Sequence, residues 1–228
     1  MNYLITGTSK GIGEGLALHA LKKGHSVIGI SRSRSTIFHK DNNYAHFQAD
    51  VSDYQDLSSV LPEISKRWRK IDSLIINSGV YPEDGKTLFD NIDINHFKKA
   101  VDTNYLGSIY TIKAFLPLLV EADHPKIIGI GSGAGSISNL QENKRYCYGP
   151  SKSAMHMFFR TLAFELTPPK WITSLISPGW VQTDMGGPEA DLSIEEVVPD
   201  LFSTISNLSK EQHGLFLDRF GKSDSYSW

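Results

Sequence analysis

Tyr148 and Lys152 sit four residues apart in the stretch "YCYGPSK", 146–152. Positions four apart share one face of a helix, so a phenol and an ammonium could meet in a single site. Such a pair suits proton transfer. A free phenol titrates near ~10, a poor match to neutral pH. An adjacent ammonium favours the phenolate and lowers that value. The same spacing also fits an aromatic helix start that happens to end in a lysine. Tyr146 is six residues before Lys152 and would face elsewhere on a helix, where it could line a pocket. Cys147 lies off both faces.

A proton donor needs a second reactant, and the N-terminus offers a seat for one. "TGTSKGIG" (6–13) follows an apolar run in the pattern Gly7-x3-Gly11-x-Gly13. Glycines there allow a tight turn and close backbone approach to a pyrophosphate, which then sits at a helix N-terminus. A simple glycine-rich strand–helix turn would look the same. The loop contributes Gly7, Ser9, Lys10, Gly11, Ile12 and Gly13 as candidate contacts. A carboxylate at the end of the next strand usually holds an NAD ribose. Here the chain reads Ser31-Arg32-Ser33-Arg34 instead. Arginine suits a ribose 2′-phosphate, and Lys10 could add a second cation, so the pattern favours NADP over NAD.

These residues must be carried by regular elements. Apolar runs at 3–7, 25–32, 45–52, 71–79, 125–132, 170–180 and 214–219 read as strands. Segments 12–24, 53–68, 149–167 and 193–208 read as helices, and 95–121 as one long helix or two abutting ones. Ser193 and Glu196 form a capping-box pattern. Strands alternating with helices imply a doubly wound, Rossmann-like α/β fold: a parallel sheet of about seven strands with helices on both faces. With 228 residues and no repeat or long linker, 1–228 reads as one domain.

Composition narrows the function. The chain is 40% hydrophobic and 21% charged with net charge −2. No broad basic field exists for nucleic acid or anionic lipid. The apolar run "AFLPLLV" is too short to span a bilayer, and Met1 leads almost directly into the first strand. A single cysteine allows no internal disulfide. A cytoplasmic location is the expectation, with neither a membrane nor a nucleic-acid partner. Scattered histidines imply no metal site.

Read together, the motifs resemble the short-chain dehydrogenase/reductase family along nearly the whole chain. "TGTSKGIG" matches its cofactor loop, "INSG" (76–79) its NNAG segment and "DTNYLG" (102–107) its active-site asparagine segment. "GSGAGSI" (131–137) matches its serine segment, "YGPSK" its YxxxK and "SPGWVQTD" (177–184) its PG segment. "PGWVQTDMGGPEA" and the C-terminal "DRFGKSDSYSW" also resemble the C-factor/sniffer-type carbonyl reductase branch.

The resemblance implies a catalytic set of Asn104, Ser132, Tyr148 and Lys152. Tyr148 would protonate a developing alkoxide, and Ser132 would orient the carbonyl oxygen. Lys152 would hold the nicotinamide ribose, and Asn104 would position a water beside it. It further implies that Asp50 and Val51 meet the adenine, and that Asn77 and Gly79 lie along the ribose. Pro178 and Gly179 would shape the nicotinamide wall, with Val181 and Thr183 holding the carboxamide. Asp50 reads equally as a capping carboxylate before the next helix. Two departures stand out: Ile76 replaces an asparagine important to the sheet, and Gly131 replaces a serine.

Substrate identity rests on loops 183–192, 133–147 and 80–92. Adjacent Gly186 and Gly187 suggest a mobile lid. Tyr81, Leu140, Tyr146, Trp180 and Met185 could form an apolar wall for a hydrophobic or aromatic carbonyl. The expected function is NADPH-dependent reduction of an aldehyde or ketone. The alternative is an NADP-binding sensor with little turnover, and a structural dimer module is a distant third. A homodimer through 95–121 and 149–167 is the expected assembly, with a small-molecule carbonyl as the other partner.

Overall fold

A computed structural model describes residues 1–35, 37, 41–83, 85, 87, 89–90, 92–140, 145–224 and 228. Parts of the expected substrate loops, at 84, 86, 88, 91 and 141–144, lie outside the described residues.

Seven parallel strands form one sheet: β1 (Asn2–Thr6), β2 (Ser26–Ser31), β3 (Tyr44–Gln48), β4 (Ser73–Ile76), β5 (Lys126–Ile130), β6 (Ile172–Ile176) and β7 (Phe216–Leu217). Their order is β3-β2-β1-β4-β5-β6-β7. Near-continuous apolar runs form the central strands because both sheet faces are covered. β4 and β5 are buried at every position.

One face packs α2 (Tyr54–Arg67), α4 (Gly107–Leu119) and α5 (Tyr148–Glu165) through Leu57, Phe115 and Phe159. The other packs α1 (Gly11–Lys22) and α6 (Ile194–Asn207) through Leu16, Val197 and Leu201. The Ser193–Glu196 capping box forms as its sequence predicts. The segment expected as one or two helices is α3 (Ile94–Ala100), a π-helical turn at Val101–Leu106, and α4, joined without a break. Asn104 sits in that π turn.

The sheet sets the site. The strand order reverses between β1 and β4, and ligands of such sheets bind outside the C-terminal strand ends at that switch point. The glycine loop leaves β1, the Asn77 segment leaves β4 and the Ser132 segment leaves β5, all at this edge. Ile76 is 2% exposed and pairs with Gly129 of β5, so this departure from the family pattern becomes core packing.

Candidate active site

Tyr148 is the first residue of α5, and Lys152 follows one turn later. Both side chains are buried, Lys152 to 4% exposure. The Ser132 side chain lies near the Tyr148 phenol and favours its charged form. Lys152 Nζ donates to the Ile130 carbonyl at 2.9 Å and lies 5.8 Å from the centre of the Tyr148 ring. The helical phase thus brings the pair together with the serine at the end of β5.

The electrostatics differ from the sequence expectation. Burial pushes the Tyr148 phenol above its usual value, and the nearby Ser132 side chain and Arg145 guanidinium only partly offset this. The expected lowering by Lys152 does not govern: its ammonium is aimed at Ile130, and burial pulls that ammonium down to about 8. Desolvation disfavours the charged form of each group. Tyr148 is therefore fully protonated at neutral pH.

Asn104 is completely buried. Its side chain accepts from Val80 N–H at 2.8 Å and donates to the Val80 carbonyl at 3.0 Å and Ser151 Oγ at 2.9 Å. It ties the loop after β4 to α5. Gly79 lies at the centre: a methyl there would stand 3.3 Å from Asn104 Oδ1 and 3.8 Å from both Lys152 Nζ and the Met185 methyl.

The glycine loop is shaped by positive φ at Gly7 and Gly11, a region that glycine enters without strain. A methyl on Gly13 would fall 2.3 Å from the Gly7 carbonyl oxygen, so helix α1 can start only against a bare backbone. Asn77 braces this turn by donating to the Thr6 carbonyl at 3.0 Å and the Gly7 carbonyl at 3.4 Å. Thr6 Oγ1 accepts from the backbone of Asn77 and Ser78, both at 3.0 Å. Asn77 and Thr6 thus hold two loops together, a role not inferred from sequence. Ser9 and Ile12 are half-buried in the loop.

The side expected to meet the adenosine is open. The Arg32 side chain is 70% exposed and stands 3.9 Å from Asp50 Oδ2. Asp50 Oδ1 accepts from Ser52 N–H and Oγ at 2.9 and 2.7 Å. Burial would raise the Asp50 carboxyl, but these bonds and Arg32 hold it below its usual value. Asp50 thus serves its own turn with one oxygen and faces Arg32 with the other. Val51 packs in the core beneath Gly107. Lys10 pairs with Asp184 across the mouth, both exposed.

The loop expected as a mobile lid is internally stitched. Gln182 N–H donates to Leu192 O at 2.8 Å, Gln182 Nε2 to Ala190 O at 2.8 Å and Trp180 Nε1 to Gly186 O at 2.8 Å. A methyl on Gly186 would lie 2.0 Å from the Val181 carbonyl, so that glycine serves close packing. Val181 is buried and bridges Leu192, Pro178 is buried, and Gly179 turns with φ +86°. Thr183 lies against Gly11, closing the loop over the glycine turn.

Of the wall residues, Tyr81 meets the Tyr148 ring edge-on at 5.0 Å. Met185 reaches Gly79. Trp180 instead fastens its own loop, Leu140 stands exposed and Tyr146 is half-buried just before α5.

Sequence reasoning missed two supports. His156, one turn beyond Lys152 and 2% exposed, accepts the Ser132 N–H at 3.4 Å through Nε2. Burial, with Lys152 nearby, takes its imidazole down to about 3, so it is neutral. Methyls on Gly131 and Gly135 would press its ring at 3.1 and 2.7 Å. The Gly131 departure therefore makes room for His156, which also packs on Phe216 and the C-terminal Trp228. The second support is Glu83, whose carboxylate accepts from the backbone N–H groups of Cys147 and Tyr148.

Comparison with known proteins gives this geometry its family. The profile of the short chain dehydrogenases matches residues 2–192. The chain belongs to the short chain dehydrogenase family. C-signal of Myxococcus xanthus is 32% identical over 151 residues, spanning 66% of this chain and 90% of that protein. Carbonyl reductase Sniffer of D. melanogaster superposes with a TM-score of 0.91 at 25% identity, over 100% of this chain and 99% of its own. NADPH-bound carbonyl reductase from chicken fatty liver gives 0.90 at 27% identity, over 100% and 98%. These are the branch that the loop sequences resemble. Among the described residues of this short chain dehydrogenase, no helix is long and apolar enough to cross a membrane.

Proposed function

We propose that this oxidoreductase reduces an aldehyde or ketone with NADPH, with Tyr148 as the proton donor. The observation that carries the reading is a buried, protonated Tyr148 beside Ser132, one helical turn from Lys152, at the sheet edge where the glycine loop opens. A phenol held protonated at neutral pH carries the proton that reduction consumes, and the burial that holds it also makes it a weaker acid.

The residues fit a dinucleotide. The bare backbone at Gly7, Gly11 and Gly13 forms a cradle that a Cβ would fill. Arg32 and Lys10 offer exposed cations for a 2′-phosphate. NADPH is bound in the similar carbonyl reductase from chicken fatty liver. When bound, the cofactor supplies a hydride to the carbonyl carbon. Ser132 then orients the carbonyl oxygen, and Tyr148 gives its proton to that oxygen as charge develops. Lys152 keeps an ammonium beside the phenol, and Asn104 holds the loop and helix that flank it. Tyr81 and Met185 border the reacting position with apolar surface, which favours an apolar or aromatic carbonyl.

We read the partners as a small carbonyl compound and a second copy of the chain in a cytoplasmic setting. Met157 and Phe164 of α5 stand 67% and 73% exposed, consistent with a homodimer. The sensor alternative draws on one observation, the similarity to the protein named C-signal. A carbonyl panel with NADPH decides between them: consumption of NADPH supports the reductase, and tight binding without turnover supports the sensor.

A further inference from the structure

The proton donor stands where a helix is weakest. The first four N–H groups of any helix lack intrahelical acceptors, and Tyr148 opens α5. No side chain of the cap residue Cys147 helps. The donors at this end can be followed one by one. Pro150 has no N–H, Gly149 N–H reaches the Arg145 carbonyl at 3.3 Å and Ser151 N–H reaches the Cys147 carbonyl at 3.3 Å. The N–H groups of Cys147 and Tyr148 go to Glu83 Oε1, at 2.6 and 2.7 Å.

Glu83 thus caps α5 from a loop more than sixty residues away in sequence. The same loop places the Tyr81 ring edge-on against the Tyr148 ring. One short segment therefore grips both the backbone and the side chain of Tyr148. A carboxylate at a helix N-terminus complements the helix dipole, and its hydrogen bonds to N–H are charge-assisted and short. By contrast, α2 is capped locally, with Asp53 accepting from Gln55 and Asp56.

We propose that Glu83 is a positioning residue for proton transfer: it holds Tyr148 at the distance and angle that Ser132 and the substrate oxygen require. This rests on Tyr148 being the donor, as read above. The cap lets the loop that borders the substrate set the geometry of the donor directly.

The test compares kcat, KM and NADPH affinity in the full-length wild type, Glu83→Ala, Glu83→Asp, Glu83→Gln and a control, Asp53→Ala. Small displacements of a reacting group are costly, so Glu83→Ala should lower kcat by about tenfold or more. NADPH affinity should stay within about twofold, because the adenosine side is untouched. Glu83→Gln keeps the acceptor oxygen and should recover kcat to within about twofold. Glu83→Asp withdraws the oxygen by one methylene and keeps the charge, so it should fall between, and it serves where the alanine variant does not fold. Asp53→Ala should lose a comparable amount of melting temperature with kcat unchanged.

The positioning role is overturned if Glu83→Ala and Glu83→Asp retain wild-type kcat, or if Glu83→Gln is no better than Glu83→Ala. Turnover surviving in Tyr148→Phe would instead overturn the donor reading itself. An inactive Tyr148→Phe beside a fully active Glu83→Ala removes only the positioning role.

Discussion

The two halves of the cleft are built on opposite principles. On the α5 side, Asn104, Tyr148, Lys152 and His156 are all buried, and Asn104 and Lys152 are held at short range by backbone, hydroxyl and thioether groups. On the side proposed for the adenosine, Arg32 and Lys10 are largely exposed and meet carboxylates through solvent-facing ion pairs. Burial makes electrostatics strong and alignment rigid, which is what the proposed proton transfer needs. Exposure leaves charges hydrated and screened, which is what the proposed binding of a charged ligand needs.

The contrast breaks most sharply at Lys152. Lys152→Met should lower kcat by roughly a hundredfold or more, within the span of acid–base contributions. It should also stabilise the ligand-free fold, since the buried ammonium titrates at about 8 instead of 10.5. That depression is worth up to about 3 kcal/mol at neutral pH, less the cost of orphaning the Ile130 carbonyl. The sign follows from proton binding: between pH 8 and 10.5 the unfolded chain holds more protons at this lysine, so wild-type stability gains on the variant as pH rises. Denaturant titration of both proteins across that window checks this. A gap that does not narrow contradicts the buried ammonium.

Next in size is Ser132→Ala, expected to cost about a hundredfold in kcat with NADPH affinity kept. Arg32→Ala should weaken NADPH by roughly tenfold and leave NADH nearly unchanged. Its effect should shrink with added salt, whereas those of Lys152→Met and Ser132→Ala should not. Equal losses for both cofactors would dissolve the contrast. Asp184→Asn, which frees Lys10 from an exposed pair, should alter the NADPH KM by less than about threefold.

The sheet, its helices and the shared helix face of Tyr148 and Lys152 were legible because they rest on local rules. Apolar runs mark buried strands, Ser193 and Glu196 mark a cap, and four-residue spacing marks a shared helix face. The supports were not legible, because they join segments far apart in sequence. Nothing around Glu83 announces that it caps α5, and nothing around His156 shows that Gly131 and Gly135 clear space for its ring. Asn77 was readable as a ribose neighbour, yet its amide is engaged with Thr6 and Gly7. The direction of the Tyr148 shift failed for a similar reason. Spacing brought Lys152 near, but burial and the pull of Ile130 on the ammonium decide the outcome. The glycine pair at 186–187 reads as flexibility from composition, and the structure adds that Gly186 permits a close backbone approach to Val181.

The central claim is that Tyr148 gives the proton. Tyr148→Phe removes one hydroxyl from a buried ring and leaves the cofactor cradle intact. With a carbonyl substrate that the wild type reduces, the account predicts turnover lowered by about a thousandfold and NADPH binding within about threefold of wild type. Turnover retained near the wild-type rate, with the same substrate and cofactor, would contradict it.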